Sequence, residues 1–409
     1  MQPRCVLFHL MHRTVWSNQQ DPFFTLGSAC PQPGTRARAP PWMRGSVLAR
    51  TQAHATKDYT SSSIEKTACA FSRHIVMVVK LVWLLARIPA SKEAGSAARR
   101  HTPKKTHRST MNEKPLGIVI AVGNQKGGVG KTTATVNLAA ALGQRGYRSL
   151  VMDLDPAAGA TKHLGIPVNS FAGTLELLTT DESIHNLAVG DGMPPGVHLV
   201  PSRPQLSEID IVLSKYLDRT RILERAVADA RLSHDFIFLD TGPSAAFTTT
   251  VAAYSTAEWF LLSALPHPLS LGGLTEAFND IADVRKHRNP ALEVLGVVFT
   301  NVDRRTTRLR GQLEAVVREA LPGRQFENSI SQAIILPDVS GAGKTLFQLP
   351  NYHAIPVANQ YLRLSVEVEH RVKNRDAFLA GALGPVDYSV LDALEPLGTY
   401  VPTLTAAEG

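Results

Sequence analysis

The sequence predicts an α/β fold in which a mostly parallel, twisted sheet is covered by helices on both faces. From residue 111 onward, apolar runs of strand length alternate with amphipathic segments of helical period. The runs are apolar throughout instead of at every second residue, which is typical of parallel strands buried on both faces. Since 44% of the 409 residues are apolar, the chain has enough apolar side chains to form such a core.

Strands and helices are predicted in alternating order along the chain. Strands are expected at residues 117–122, 149–152, 197–200, 236–239, 259–265 and 292–300. Helices are expected at residues 132–144, 218–230, 270–286, 306–321 and 357–372. Pro356 stands just before the last of these segments, and proline is common in the first turn of a helix.

The first 110 residues differ from the rest of the chain in charge and in pattern. They contain 17 Lys and Arg against 4 Asp and Glu, whereas residues 111–409 carry a net charge of −5. They show no strand or helix period, and their apolar run at 75–85 is shorter than the roughly 20 residues of a membrane helix. The expected organisation is a basic, disordered or spurious extension at 1–110, a folded domain at 111–381 and a loose tail at 382–409.

The first predicted strand leads into the sequence NQKGGVGKTT, residues 124–133, and a helix follows directly. This is the context of a phosphate-binding loop, in which glycines let main-chain N–H groups surround phosphate oxygens. The lysine at 131 is expected to reach the β- and γ-phosphates, and the threonine at 132 is expected to bind Mg²⁺. The expected nucleotide-binding residues are Gly127, Gly128, Val129, Gly130, Lys131, Thr132 and Thr133.

The additional lysine in this loop, Lys126, makes the sequence resemble the ParA/MinD family of ATPases. The resemblance extends over residues 117–372, and the spelling of the loop is closest to the ParA (Soj-like) partitioning branch. It implies ATP and Mg²⁺ as cofactors and a homodimer that forms with ATP. It also implies that Lys126 crosses the dimer interface to the nucleotide of the partner, as a catalytic residue beside Lys131.

Three carboxylates follow predicted strands. Asp153 and Asp155 end the second strand, and residues i and i+2 of an extended chain face the same way. By its match to the family motif, Asp155 is expected to orient the attacking water, and Asp153 to support the metal through water. Asp240 ends the fourth strand and is the expected direct partner of Mg²⁺. The family usually continues after Asp155 with Gln-Gly-Asn-Ala-Thr, whereas residues 157–161 read Ala-Ala-Gly-Ala-Thr.

Two further segments have expected roles. Asn301 follows the sixth predicted strand and resembles the family residue near the adenine base. The segment 341–345, GAGKT, lacks the strand and helix of a second phosphate loop and is expected to form a turn.

Positive charge outside the N-terminal extension is concentrated at residues 285–310, which carry a net charge of +5. The interpretation as a non-specific DNA surface competes with a simpler one, in which these residues are solvated helix ends. The candidate DNA contacts are Arg304, Arg305, Arg308 and Arg310.

The resemblance implies an ATPase for chromosome or plasmid partitioning that hydrolyses ATP to ADP and phosphate. The implied partners are a second copy of the chain in the ATP state, non-specific DNA and a ParB-type centromere-binding protein, with no membrane. The implied location is the cytoplasm, in association with the nucleoid.

Three alternatives share the predicted fold. A MinD-like membrane-cycling ATPase would have a basic amphipathic C-terminal helix, but residues 382–409 contain no Lys or Arg. A nitrogenase-reductase-like electron carrier would need cluster cysteines, and all three cysteines precede residue 110. An ATP-dependent amidoligase or cobyrinate-synthase-like enzyme stays open, because the sequence does not show a substrate pocket.

Overall fold

A computed structural model describes residues 115–394 of the chain. Within this range, the residues that are not described are 181, 216–220, 244–247, 268–269, 304 and 306. The predicted N-terminal extension and residues 395–409 therefore lie outside the described residues.

Six strands form one sheet in which every neighbouring pair is parallel. The strands are β1 (Ile118–Gly123), β2 (Ser149–Asp153), β3 (Val197–Val200), β4 (Phe236–Asp240), β5 (Trp259–Ala264) and β6 (Glu293–Phe299). Their order in the sheet is β3-β2-β4-β1-β5-β6. The predicted fold class is confirmed, because each strand lies at the position that its apolar run indicates.

Helices connect successive strands and continue after the last one. They are α1 (Lys131–Gln144), α2 (Gly159–His163), α3 (Thr174–Thr179), α4 (Ile184–Leu187), α5 (Ile209–Val212), α6 (Ile222–Ser233), α7 (Thr248–Thr256), α8 (Ser270–His287), α9 (Thr307–Ala320), α10 (Ile335–Gly341), α11 (Pro356–Lys373) and α12 (Arg375–Leu379). The five predicted helices correspond to α1, α6, α8, α9 and α11. The other helices span too few residues to show a helical period in the sequence.

The sheet separates two apolar layers. Val119 and Ala121 of β1 face one layer, which includes residues of α6, α7, α8 and α9. Ile120 and Val122 face the other layer, which includes residues of α1, α10, α11 and α12. All four side chains are fully buried, which explains why the strand is apolar at every position. Among the described residues, no helix is both long and apolar enough to span a membrane.

The segment 382–394 contacts the domain, in contrast to the loose tail that the sequence predicts from residue 382. The guanidinium carbon of Arg363 on α11 lies 3.8 Å from the centre of the Tyr388 ring. Asn328 donates a hydrogen bond of 2.9 Å to the Tyr388 hydroxyl, and Leu391 packs against the apolar core. These contacts come from single side chains without a repeating pattern, so the sequence did not indicate them.

The GAGKT segment forms the predicted turn. Helix α10 ends at its first residue, and Gly343 adopts a positive φ of 67°, a backbone conformation that favours glycine. A short 3₁₀ helix at Leu346–Gln348 follows the turn.

The packing of α1 generates a stability prediction. A β-carbon on Gly143, in the last turn of α1, would lie 2.0 Å from the carbonyl oxygen of Pro195. We expect Gly143→Ala to lower the free energy of unfolding by about 1–3 kcal/mol, because the backbone of one segment must shift. Gly311→Ala is the control, since Gly311 lies in α9 and a β-carbon there would meet no atom within 4 Å.

The control should raise the free energy of unfolding by about 0.5–1 kcal/mol, because alanine favours a helix interior. Urea denaturation of both variants provides the measurement. Equal changes in the free energy of unfolding for Gly143→Ala and Gly311→Ala would contradict the close approach of α1 to the segment before β3.

Candidate functional site

The glycine loop, Asp153 and Asp240 lie together at the carboxyl edge of the sheet. In the parallel register, Asp153 of β2 lies opposite Asp240 of β4, and Asp240 lies opposite Val122 of β1. The glycine loop leaves β1 one residue later, so the loop and both carboxylates share one edge. In open α/β sheets, ligands bind at this edge where the strand order reverses, and β1 lies at such a point between β4 and β5.

Two glycines of the loop adopt backbone conformations that favour glycine. Gly128 and Gly130 have φ angles of 72° and 78°, in the left-handed region where side chains cause strain. A β-carbon on Gly127 or Gly128 would meet no atom within 4 Å, so this part of the loop faces open space. A β-carbon on Gly130 would instead lie 3.3 Å from the hydroxyl oxygen of Thr300. The loop therefore has one open side and one side that packs on the sheet.

The loop is anchored to the sheet through the carbonyl of Val129. This buried oxygen accepts hydrogen bonds from Ser263 Oγ at 2.6 Å and from Thr300 Oγ1 at 2.7 Å. Asn124 adds a second tie, since its Nδ2 donates to the Ser263 carbonyl at 2.7 Å and its Oδ1 accepts from the Lys126 amide at 2.9 Å. The sequence did not indicate these roles for Ser263 and Thr300. The one available signal was a hydroxyl side chain near the end of each of two neighbouring apolar strands.

The two lysines of the loop differ in exposure. Lys131 is buried, and its ammonium group lies 3.4 Å from the carbonyl oxygen of Lys126. Burial lowers the pKa of Lys131, while the charges of Asp240 and Asp155 oppose this shift. The side chain of Lys126 is partly exposed, and its β-carbon lies beside Gly273 at the start of α8. The structure thus places Lys131 inside the loop and Lys126 at the loop surface.

Asp153 and Asp240 are fully buried side by side. Asp240 accepts hydrogen bonds from Thr132 Oγ1 at 2.8 Å and from Thr135 Oγ1 at 3.1 Å. Asp153 accepts hydrogen bonds from the main-chain amide of Thr161 at 2.8 Å and from its hydroxyl at 2.7 Å. Burial raises the pKa of both carboxyl groups, and the charge of Asp153 raises that of Asp240 further.

These oxygen atoms fit a magnesium ion. Mg²⁺ prefers hard oxygen ligands and is usually held by one or two carboxylates, with substrate phosphates and water in the other positions. The Thr132 hydroxyl, already in contact with Asp240, can supply a direct ligand at the start of α1. A cation at this place would compensate the two buried negative charges, which are otherwise costly to bury together.

Asp155 occupies the outer end of the same edge. Its Oδ1 accepts a hydrogen bond of 2.9 Å from the amide of Ala157, and its own amide donates to Asp153 Oδ1 at 3.2 Å. A β-carbon on Gly242, two residues after Asp240, would lie 3.5 Å from the Asp155 carboxylate. Glycine at this position thus leaves space next to the carboxylate.

The residues predicted to contact the adenine base and DNA follow β6 in the chain. Asn301 is exposed, has a φ of 52° and directly follows Thr300, which anchors the loop. Arg305 pairs with Asp303 at 2.8 Å, and Arg310 pairs with Glu314 at 2.6 Å. Arg304 and the side chain of Arg308 lie outside the described residues.

The first strand of the parallel sheet ends in this loop, and the aspartate of the adjacent strand accepts a hydrogen bond from the threonine of the next helix. This arrangement defines a P-loop nucleoside triphosphatase. Residues 117–294 match a family model described as an AAA domain. The chromosome-partitioning ATPase Soj of Thermus thermophilus is 32% identical over 262 residues, which cover 62% of this chain and 96% of Soj. The chromosome-partitioning protein ParA of Caulobacter vibrioides is 32% identical over 271 residues, which cover 65% of this chain and 99% of ParA. The chain therefore belongs to the ParA/MinD family of ATPases, as the resemblance indicated.

A solved structure extends the comparison beyond the partitioning proteins. Cobyrinic acid a,c-diamide synthase from Mycobacterium smegmatis, with bound ATP analogue and magnesium, superposes with a TM-score of 0.51 and 26% identity. The match covers 66% of this chain and 100% of the synthase. The fold is thus shared with an enzyme of a different reaction class.

The anchor of the loop generates a prediction about nucleotide affinity. Ser263→Ala combined with Thr300→Val removes both hydroxyl donors and leaves the buried Val129 carbonyl without them. We expect the affinity for Mg-ADP to fall by about 10- to 100-fold, because an unsatisfied buried polar group costs about 1–3 kcal/mol. Titration calorimetry provides the measurement.

Ser255→Ala serves as the control, because its hydroxyl donates a hydrogen bond of 2.7 Å within α7, to the Val251 carbonyl. The control should bind Mg-ADP as the parent does. Parental affinity in the double variant would show that the loop does not need this anchor.

Proposed function

We propose that this chain is a Mg²⁺-dependent ATPase of the ParA type, which binds ATP, dimerises and hydrolyses ATP to ADP and phosphate. The observation that carries the proposal is the 2.8 Å hydrogen bond between Thr132 and Asp240 directly beside the glycine loop. It supports a metal position next to the phosphate position, which phosphoryl transfer requires. We assign these functions to residues 111–381, together with the packed segment 382–394.

The proposed mechanism assigns one task to each group of side chains. The loop amides and Lys131 bind the phosphates, while Thr132 and Asp240 hold Mg²⁺ and Asp153 supports it through water. Bound Mg²⁺ supplies charge neutralisation at the phosphates. Asp155 orients the attacking water at the open end of the edge, where Gly242 leaves space for it. Such catalysis depends on positioning and charge, so few side chains are needed.

This mechanism predicts different effects for two residues of the site. Lys131→Ala should abolish ATP binding, because a phosphate charge loses its buried counter-charge. Asp155→Ala should bind ATP but hydrolyse it about two to four decades more slowly, because the water loses its orienting carboxylate. Calorimetry measures the affinity for ATP, and phosphate release measures the rate of hydrolysis.

The control variant for both is Asp191→Ala, an exposed carboxylate in the loop before β3. It should bind and hydrolyse ATP at the parental rate. Parental ATP affinity in Lys131→Ala, or parental turnover in Asp155→Ala, would refute the corresponding assignment.

The proposed dimer depends on Lys126. Its main chain is fixed by Asn124 while its side chain is partly exposed, so the ammonium group can reach a second chain. Lys126→Ala should bind ATP with parental affinity but stay monomeric in light scattering, because the contact to the partner's nucleotide is lost. Lys344→Ala, a variant of an exposed lysine in the GAGKT turn, should still dimerise with ATP. An ATP-dependent dimer of Lys126→Ala would exclude the interface role.

We further propose that the ATP-bound dimer partitions chromosomes or plasmids. The support is the similarity over nearly the full length of two chromosome-partitioning relatives. The proposed partners are non-specific DNA and a ParB-type centromere-binding protein, and the proposed location is the nucleoid in the cytoplasm.

The DNA surface is proposed around the start of α9, and it can be tested by charge reversal. Arg305→Glu with Arg308→Glu should remove ATP-dependent binding of random-sequence duplex but leave ATP-dependent dimerisation intact. Anisotropy titrations at several salt concentrations measure this, since each phosphate contact contributes about −0.9 to the slope of log affinity against log salt. Arg225→Glu, at an exposed position on α6, is the control and should bind DNA as the parent does. Unchanged DNA binding in the double variant would place the surface elsewhere.

A second candidate function is an ATP-dependent synthase of the cobyrinate type. The observation in its favour is the 26% identity and complete coverage of the diamide synthase. An assay for amide product with ATP, ammonia or glutamine and a carboxylate acceptor separates the two functions. Product formation without DNA binding would favour the synthase.

A further inference from the structure

The turn that carries Asp155 lacks the side chains that the family usually has there. Residues 157 and 158 are alanines, and Ala158 is fully buried with a φ of 54°. For an alanine, this left-handed conformation costs about 1–2 kcal/mol. The amides of Ala157 and Ala158 donate hydrogen bonds to the carboxylate and the main-chain oxygen of Asp155, and a turn with such strain also needs support from neighbouring segments.

One neighbouring residue, Ser202, makes two contacts to this region. It lies two residues beyond β3 and is buried, with 3% of its surface exposed. Its hydroxyl donates a hydrogen bond of 2.8 Å to the main-chain oxygen of Asp155. Its main-chain amide donates a hydrogen bond of 2.8 Å to Thr161 Oγ1, which in turn donates to Asp153. Ser202 thus connects the end of β3 to the segments that hold both carboxylates.

The strand end itself has an independent support. Thr174 at the start of α3 donates a hydrogen bond of 2.7 Å to the main-chain oxygen of Asp153. The carboxylate of Asp153 is held by Thr161, and Asp240 is held from α1. Among the hydrogen bonds of the described residues, loss of the Ser202 hydroxyl therefore removes only the one to Asp155 and leaves these two carboxylates supported.

We infer that Ser202 is a positioning residue for hydrolysis, which fixes the main chain of Asp155 so that its carboxylate orients the attacking water. This inference rests on the proposed role of Asp155. It separates catalysis from binding, because no hydrogen bond among the described residues joins Ser202 to the glycine loop, Lys131 or Thr132. A misplacement of about 1 Å in a positioned group can cost roughly 100-fold in rate.

The test compares steady-state ATP hydrolysis by the full chain and four variants. Ser202→Ala should lower kcat about 10- to 100-fold, while the KM for ATP and the affinity for Mg-ADP stay within about threefold of the parent. Ser255→Ala removes a helical hydroxyl elsewhere and should leave kcat unchanged. Asp155→Ala and the double variant Ser202→Ala/Asp155→Ala complete the cycle.

The double variant distinguishes positioning from a general structural role. If Ser202 acts through Asp155, the double variant should hydrolyse ATP as slowly as Asp155→Ala and no more slowly. Parental kcat in Ser202→Ala, or a further loss in the double variant, would overturn the inference. A parental rate in Asp155→Ala would instead refute the proposed function of Asp155, so the two failures are distinguishable.

Thermal melting of each variant shows whether it is folded at the assay temperature. If Ser202→Ala melts below that temperature, Ser202→Cys replaces it, because a thiol is a weak donor of similar size. Ser202→Cys is then expected to lower kcat while the KM for ATP stays near that of the parent. A parental kcat in Ser202→Cys would equally overturn the inference.

Discussion

This site depends on one constraint, which is the burial of two carboxylates side by side. They are Asp153 at the end of β2 and Asp240 at the end of β4. Two like charges in a dry environment repel each other and are costly to desolvate. The fold compensates with hydroxyl and amide donors from α1 and α2, which bring Thr132 and Thr161 into place. The divalent cation that we propose at this place would complete the compensation of the two buried charges.

The glycine loop lies at the same edge of the sheet as the two carboxylates. Its open face lies at Gly127 and Gly128, whereas its packed face is tied to β5 and the end of β6 through the Val129 carbonyl. The position that we propose for a phosphate and its metal lies between Lys131 of this loop and the two carboxylates. Each side of the site is thus fixed to a different strand.

Much of this arrangement could be predicted from the sequence, and the remainder has identifiable physical reasons. The strands were predictable because full burial makes them apolar throughout, and the loop because its glycines and lysine stand between a strand and a helix. The contacts of Ser202, Ser263 and Thr300 were not predictable, since they depend on which strands become neighbours in space. The packing of Tyr388 on Arg363 was missed for the same reason, because one aromatic side chain carries no periodic signal.

The central claim is that the buried carboxylate pair requires a cation together with the nucleotide. The most direct measurement is the thermal unfolding of the full chain with Mg²⁺ alone, with ADP and a chelator, and with ADP and Mg²⁺. Binding at a ligand concentration 100 times Kd stabilises a protein by about 2.7 kcal/mol, which raises its midpoint by several degrees. We predict this rise with ADP and Mg²⁺, and a much smaller one with ADP and chelator. An equal rise in midpoint with and without Mg²⁺ would contradict the claim.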